Sequence, residues 1–144
     1  MINDNVEIAA EIEADGVHVG QSDMEAGDVR AKLGADKIIG VSAQTVEQAL
    51  RAQEHGADYL GVGAMYATNT KTDARAVTKE QLVEIRAAVD IPIVIIGGVN
   101  QKTVPNFKGM GIDGAAVVSA VVSQPDIEKA AKDLRELCED CFGR

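Results

Sequence analysis

The chain has 144 residues, enough for one domain with a real core. Apolar residues make up 46% and charged residues 26%, an ordinary globular balance, and no apolar run approaches the ~20 residues of a membrane span. A formal net charge of −9 with few aromatics argues against binding a nucleic-acid backbone over a broad surface. Small phosphorylated ligands remain possible, held by glycine amides, helix N-termini, a placed lysine or a divalent cation. Asn3, Asp4, Asn5 and Glu7 interrupt any apolar leader, so a cytoplasmic location is the default.

In chain order, a strand end at Met1 to Asn3 leads into a short helix near Val6, with Ile8, Ala9 and Ile12 as its buried face. Apolar runs follow at Gly16 to Val19, Lys37 to Val41, Asp58 to Val62, Pro92 to Ile96 and Gly114 to Val118. They are short, rich in Val and Ile, and scarcely alternate, as strands buried on both faces of a parallel sheet do. Helical patterns separate them. Thr45 to His55 places Val46, Ala49, Leu50 and Ala52 together. Thr78 to Val89 carries Leu82, Ile85 and Val89 behind a Thr78–Gln81 capping box. Pro125 to Glu139 opens on a first-turn proline and carries Ile127, Ala130, Ala131, Leu134 and Leu137. Cys138 and Cys141 lie in this last helix, away from any second cysteine pair or histidine, and read as two plain thiols.

One joint recurs. Gly34-Ala35-Asp36, Gly56-Ala57-Asp58 and Gly111-Ile112-Asp113 each end a helix and precede a strand, and Asp15-Gly16 does a similar job. Repeated βα units follow, about five in series plus the strand stub, in one domain over residues 1–144. Two architectures fit: an incomplete (β/α)8 barrel of TIM type, or an open doubly wound parallel sheet. A complete barrel usually exceeds ~200 residues.

In both architectures ligands bind where the strands end. Asp23, after the first full strand, suits either a metal or the cap of the next helix, and spacing alone favours the cap. His18, within that strand, reads as a satisfied core histidine. Ser42 suits a ligand or the capping of the helix at Thr45. The long loop from Gly61 to Asp73 places Thr68, Thr70 and Lys71 together, which suits an anion, although a solvated loop would look the same. Gly97-Gly98 and Ser119 follow the last two strands, where TIM barrels commonly hold phosphate, and this favours the barrel.

The segments Asp15-Gly16-Val17-His18-Val19-Gly20-Gln21-Ser22-Asp23, Ile38 to Ser42, Ala57 to Gly63, Thr68-Asn69-Thr70-Lys71, Pro92 to Gly98 and Ala116 to Ala120 stand in an order that resembles the thiamine-phosphate synthases. Ile2-Asn3-Asp4 is similar to that family's I-N-D strand end. The resemblance implies a transferase that joins an aminopyrimidine methyl diphosphate to a thiazole phosphate. Pyrophosphate leaves with the help of magnesium, and the thiazole nitrogen attacks the pyrimidine methylene cation. Such chemistry needs charge neutralisation and positioning more than a general base. Asp4 and Asp23 would then hold Mg2+. Asn3 and Lys71 would hold the diphosphate, and Ser42 would lie beside the pyrimidine and the departing group. Thr68 and Thr70, with Gly97, Gly98 and Ser119, would hold the thiazole phosphate.

The family's Q-x-R-x-K strand, upstream of I-N-D, has no counterpart here, so the resemblance implies the C-terminal two-thirds of a barrel that lacks its first strands. Low activity of the chain alone is the corresponding expectation. Alanines at Ala64 and Ala67 replace the usual prolines. A related thiazole tautomerase carries a histidine two positions after the serine, where this chain has Gln44. Besides that tautomerase, a non-catalytic phosphate-binding barrel fragment is an alternative. Expected partners are small phosphorylated substrates, with no nucleic acid or membrane. Unpaired edges and an apolar interior carrying Val17, Val41, Val62, Ile96 and Val118 imply self-association or a complementing N-terminal half.

Overall fold

The computed structural model describes residues 1–67 and 76–143. Six strands form one sheet: β1 (Ile2–Asn3), β2 (Gly16–Val19), β3 (Ile38–Ala43), β4 (Tyr59–Val62), β5 (Ile93–Ile96) and β6 (Gly114–Ala116). The helices are α1 (Val6–Glu11), α2 (Ala26–Leu33), α3 (Val46–Glu54), α4 (Lys79–Ala88), α5 (Ser119–Val122) and α6 (Ile127–Phe142), with a 3-10 turn at Val104–Phe107. No described helix is long and apolar enough to cross a membrane.

Every neighbouring pair is parallel, and the spatial order equals the sequence order from β1 to β6. That order decides between the two expected architectures. A doubly wound sheet reverses direction at a switch point and so places helices on both faces. Right-handed crossovers that always step the same way place all helices on one face, and the sheet curls as part of a barrel.

The register makes the two faces chemically different. Val17 pairs with Ile39, Val19 with Val41, Val41 with Leu60 and Leu60 with Ile93. These residues are buried and share one core with Val6, Ala9, Val29, Ala49, Leu82 and Ile85 of the helices. The alternate rows are Asn3–His18–Gly40–Tyr59 and Ser42–Gly61–Val94–Gly114, on the other face. The expected apolar interior is therefore corrected at three of its five residues. Val17, Val41 and Val62 pack under the helices, Ile96 and Val118 are exposed, and the open face is largely glycine and polar groups with Ile38, Val94 and Ile96 as its apolar members.

Caps hold most helices where the sequence places them. Thr45 Oγ1 accepts from Gln48 N at 3.2 Å, and Thr78 and Gln81 form the full capping box. In α6 the cap is Asp126, which accepts from Lys129 N at 2.9 Å, so Pro125 precedes the helix instead of opening it. Ile127 and Ala131 of that helix are exposed, while Ala130 and Leu134 are buried. Leu50 of α3 is likewise exposed. In α1 the buried pair is Val6 and Ala9, and Ile8 and Ile12 are 46% and 59% exposed, contrary to the expected face. Cys138 and Cys141 are free thiols, half-buried in α6, and burial beside Cys141 pushes the Cys138 thiol up.

The recurring joint has a physical basis. Gly34, Gly56 and Gly111 all take positive φ, which only glycine adopts cheaply. Gly111 follows the 3-10 turn, not an α-helix. Asp58 Oδ2 accepts from Ile39 N at 2.7 Å, and Asp113 Oδ2 from Ile93 N at 2.9 Å. Each aspartate thus ties its own strand to the start of the preceding one, and Arg30 (2.7 Å) and Arg86 (3.5 Å) respectively neutralise them. Gly16 works differently. Its φ is not positive, but a Cβ there would lie 2.3 Å from Ile38 O, so it is small for packing, while Glu13 takes the positive φ after α1.

Candidate active site

Parallel strands deliver their C-terminal ends to one rim of the sheet, and the loops there carry most of the expected site residues. Asn3 ends β1 and pairs in register with His18. Asp4 follows with φ of 65°, and its backbone N–H donates to His18 O at 2.8 Å. This bond anchors the β1 exit to β2 and leaves the Asp4 side chain in the exposed rim.

Asp23 is half-buried after β2, and its Oδ2 accepts from Gly20 N at 2.7 Å. It closes the Gly20–Asp23 turn and caps no helix, because α2 begins at Ala26 with Glu25 in the cap position. Gln21 of the same turn donates through Nε2 to Ser42 O at 2.6 Å, so the Asp23 loop is tied directly to the end of β3. Ser42 does not cap α3 either; Thr45 does.

The Ser42 hydroxyl has a different partner. His18 Nε2 lies 2.9 Å from Ser42 Oγ, and His18 Nδ1 lies 2.9 Å from the Tyr59 hydroxyl. The imidazole therefore bridges β3 and β4 from β2, with the His18 and Tyr59 ring centroids 5.5 Å apart. Burial pushes the Tyr59 phenol up, so it keeps its proton. His18 is satisfied at both ring nitrogens, as expected of it, and Tyr59 is the residue that reading the sequence missed. The signal is positional: His18, Gly40 and Tyr59 share one cross-strand row, and Gly40 has no side chain to separate the other two.

A second cluster forms at the ends of β5 and β6. Gly97 and Gly98 have φ of 90° and 66°. Their missing Cβ atoms make room for the Gly63–Tyr66 segment: a Cβ would lie 2.5 Å from Ala64 Cβ or 2.6 Å from Tyr66 Cβ. Tyr66 N donates to Gly97 O at 3.0 Å and Met65 N to Ile96 O at 2.9 Å. Tyr66 packs edge-on against Phe107 and takes a 3.2 Å bond from Asn106 Nδ2. The space that these two glycines leave on the Cβ side is taken by the β4 exit loop. Ser119 is exposed at the start of α5, beyond β6, which neighbours β5. Thr68, Thr70 and Lys71 lie outside the described residues.

Asp4 and Asp23 follow adjacent strands and offer hard oxygen donors. Mg2+ is characteristically bound by one or two carboxylates, with water and substrate phosphate completing its shell, so this donor set fits it. Among the described residues no group of three His, Cys, Asp or Glu side chains forms a closed metal cage. Beside Asp23 a cleft of about 100 Å³ runs between the β2 exit and α3. There Glu25 accepts from Arg51 at 2.9 Å and contacts His55, and Arg51 holds the Glu25 carboxyl below its ordinary range.

Residues 1–121 match the thiamine monophosphate synthase family. The chain is 56% identical to a thiamine-phosphate synthase of Clostridium beijerinckii over 94% of its own length and 65% of the relative's. It is 52% identical to one from Clostridium botulinum over 94% of its length and 64% of that protein. Among solved structures, a thiamine phosphate pyrophosphorylase from Pyrococcus furiosus superposes with a TM-score of 0.88 at 39% identity, over 98% of this chain and 67% of that one. A 3-hexulose-6-phosphate synthase shares the fold, with a TM-score of 0.69 at 24% identity. The chain thus spans about 64–65% of the length of the curated relatives it matches. With residues 1–121 matching the family and 56% identity to one of its synthases over 94% of its length, the chain belongs to the thiamine monophosphate synthase family.

Proposed function

We propose that this chain carries the thiamine-phosphate synthase reaction site: transfer of an aminopyrimidine methyl group from its diphosphate to a thiazole phosphate, with release of pyrophosphate. The observation that carries the reading is the convergence of Asp4, Asp23 and Ser42 on the ends of three adjacent strands, joined through Gln21 and His18. Asp4 and Asp23 would hold Mg2+, which when bound neutralises charge on the departing diphosphate. Asn3, beside Asp4, and Ser42, beside His18, would donate hydrogen bonds to that group or to the pyrimidine. Gly97, Gly98 and Ser119, on the neighbouring strand ends, would receive the thiazole phosphate, and the resemblance adds Thr68 and Thr70 to that group and Lys71 to the diphosphate. Electrostatic positioning of this kind supplies most of what such a substitution requires.

The test is incubation of the purified chain with both substrates and Mg2+, with thiamine phosphate followed by mass spectrometry. Product that disappears in Asp4→Asn and Asp23→Asn supports the reading. Absence of product together with absence of Mg2+-dependent diphosphate binding contradicts it.

A further inference from the structure

We propose that Tyr59, His18 and Ser42 form a directed hydrogen-bond relay that presents the Ser42 hydroxyl as a donor to an anionic oxygen on the open face, with His18 as the positioning residue. The inference rests on the transferase reading for the identity of that oxygen, the departing diphosphate, but not for the direction of the relay.

A neutral imidazole has one donor nitrogen and one acceptor nitrogen. With Tyr59 at Nδ1 and Ser42 at Nε2, both at 2.9 Å, two wirings are possible. A phenol is far more acidic than an aliphatic hydroxyl and is the better donor of the two. Burial keeps the Tyr59 proton in place. The favoured wiring therefore runs from the Tyr59 O–H into Nδ1, and from Nε2–H to Ser42 Oγ. Ser42 then accepts from the ring, and its own proton must point to another acceptor. Protonating the ring leaves that polarity at Ser42 unchanged, because both nitrogens then donate.

The rings are held tightly enough for direction to matter. A Cβ on Gly61 would lie 2.9 Å from His18 Cε1, and a Cβ on Gly40 would lie 2.2 Å from the Tyr59 ring. Two glycine slots on neighbouring strands thus fit the two rings, where any side chain would displace them. The Ser42 carbonyl is already taken by Gln21 Nε2 at 2.6 Å, which fixes the backbone from which the hydroxyl projects. The exposed rim around Ser42 holds Asn3 and Asp4 at the end of the row that contains His18. A donor aimed into a rim that carries two carboxylates suits the oxygen of a metal-neutralised phosphate better than a neutral group.

The direction is read by long-range 1H–15N correlation of histidine-labelled protein near pH 8. The chain has two histidines, His18 and His55, and His55→Gln assigns them. The expected result is a proton on Nε2 of His18, with the population moving toward Nδ1–H in Tyr59→Phe. This reading on the native chain needs no variant to fold. The second arm titrates inorganic pyrophosphate with Mg2+. Ser42→Ala should weaken binding by about 10- to 100-fold, the worth of one hydrogen bond to a charged group. Tyr59→Phe should weaken it by less, and His18→Ala by as much as Ser42→Ala. An Nδ1–H tautomer in the native chain overturns the relay whatever the ligand, as does Ser42→Ala binding pyrophosphate like the native chain. An Nε2–H tautomer in a native chain that binds no pyrophosphate overturns the transferase reading and the assigned acceptor instead.

Discussion

Ile39 and Gly40 are neighbours in the chain and lie on opposite faces of β3. Ile39 is sealed against the helices with Val17 and Leu60. Gly40 lies in the row that carries His18 and Tyr59 and leaves the space that the Tyr59 ring fills. The same alternation runs through β2, β4 and β5. On β2, β3 and β4 one side supplies burial energy and the other carries the polar site residues, whereas β5 puts Val94 and Ile96 on the open side. The difference between the faces teaches why the site can be polar and open without weakening the fold: the core lies wholly under the helices.

The comparison breaks most visibly on the helix side. Leu60→Ala removes a fully buried side chain and should cost about 2–5 kcal/mol in a urea titration, while folded protein still binds Mg2+ and pyrophosphate normally. A loss of ligand affinity larger than the unfolded fraction explains would show that the faces are coupled. On the open side, Gly61→Ala pushes a methyl against His18 Cε1 and should cost about 1–3 kcal/mol. Unlike Leu60→Ala, it should also displace the His18 ring signals and lower pyrophosphate affinity in the folded protein.

Tyr59→Phe should cost about 0.5–1.5 kcal/mol near neutral pH through the lost hydrogen bond. It should also change the alkaline limb of the stability curve. Burial raises the Tyr59 phenol in the folded chain, so the unfolded chain loses that proton first. The stabilising contribution is whole below about pH 10 and fades as pH climbs through the raised folded value. The native chain should therefore lose stability with rising pH more steeply there than Tyr59→Phe does. Parallel curves would contradict the buried, protonated phenol. The smallest stability change belongs to Asp23→Asn, within about 1 kcal/mol, because the amide oxygen can still accept from Gly20 N. Its effect should fall on Mg2+-dependent binding instead, which calorimetry would show as a loss of at least tenfold.

Much of the fold was legible because buried parallel strands read as short Val and Ile runs, and because Gly-x-Asp joints mark the entries to β4 and β6. The choice of barrel over doubly wound sheet rested on Gly97-Gly98 and Ser119 at the last strand ends and on the family resemblance, since strand order itself is encoded by no local pattern. The α1 face was misread in part: Ala9 is buried as expected, but it shares its face with Val6 at i−3, while Ile8 and Ile12 lie on the exposed side. Asp23 was misread from spacing because it lies two residues ahead of the cap position at Glu25. His18 and Tyr59 are ambiguous singly and become a site only through the register of three strands and the glycines between them.

The most direct test of the account is backbone amide NMR of the chain titrated with Mg2+ and pyrophosphate, then with thiazole phosphate. The account predicts that the first ligand shifts the amides of Asn3, Asp4, Gly20 to Asp23 and Ser42, and that the second shifts those of Gly97, Gly98 and Ser119. Val29 and Ile85, on the helix side, should stay still. Unmoved strand-end amides at millimolar ligand, or shifts confined to the helix side, would contradict it.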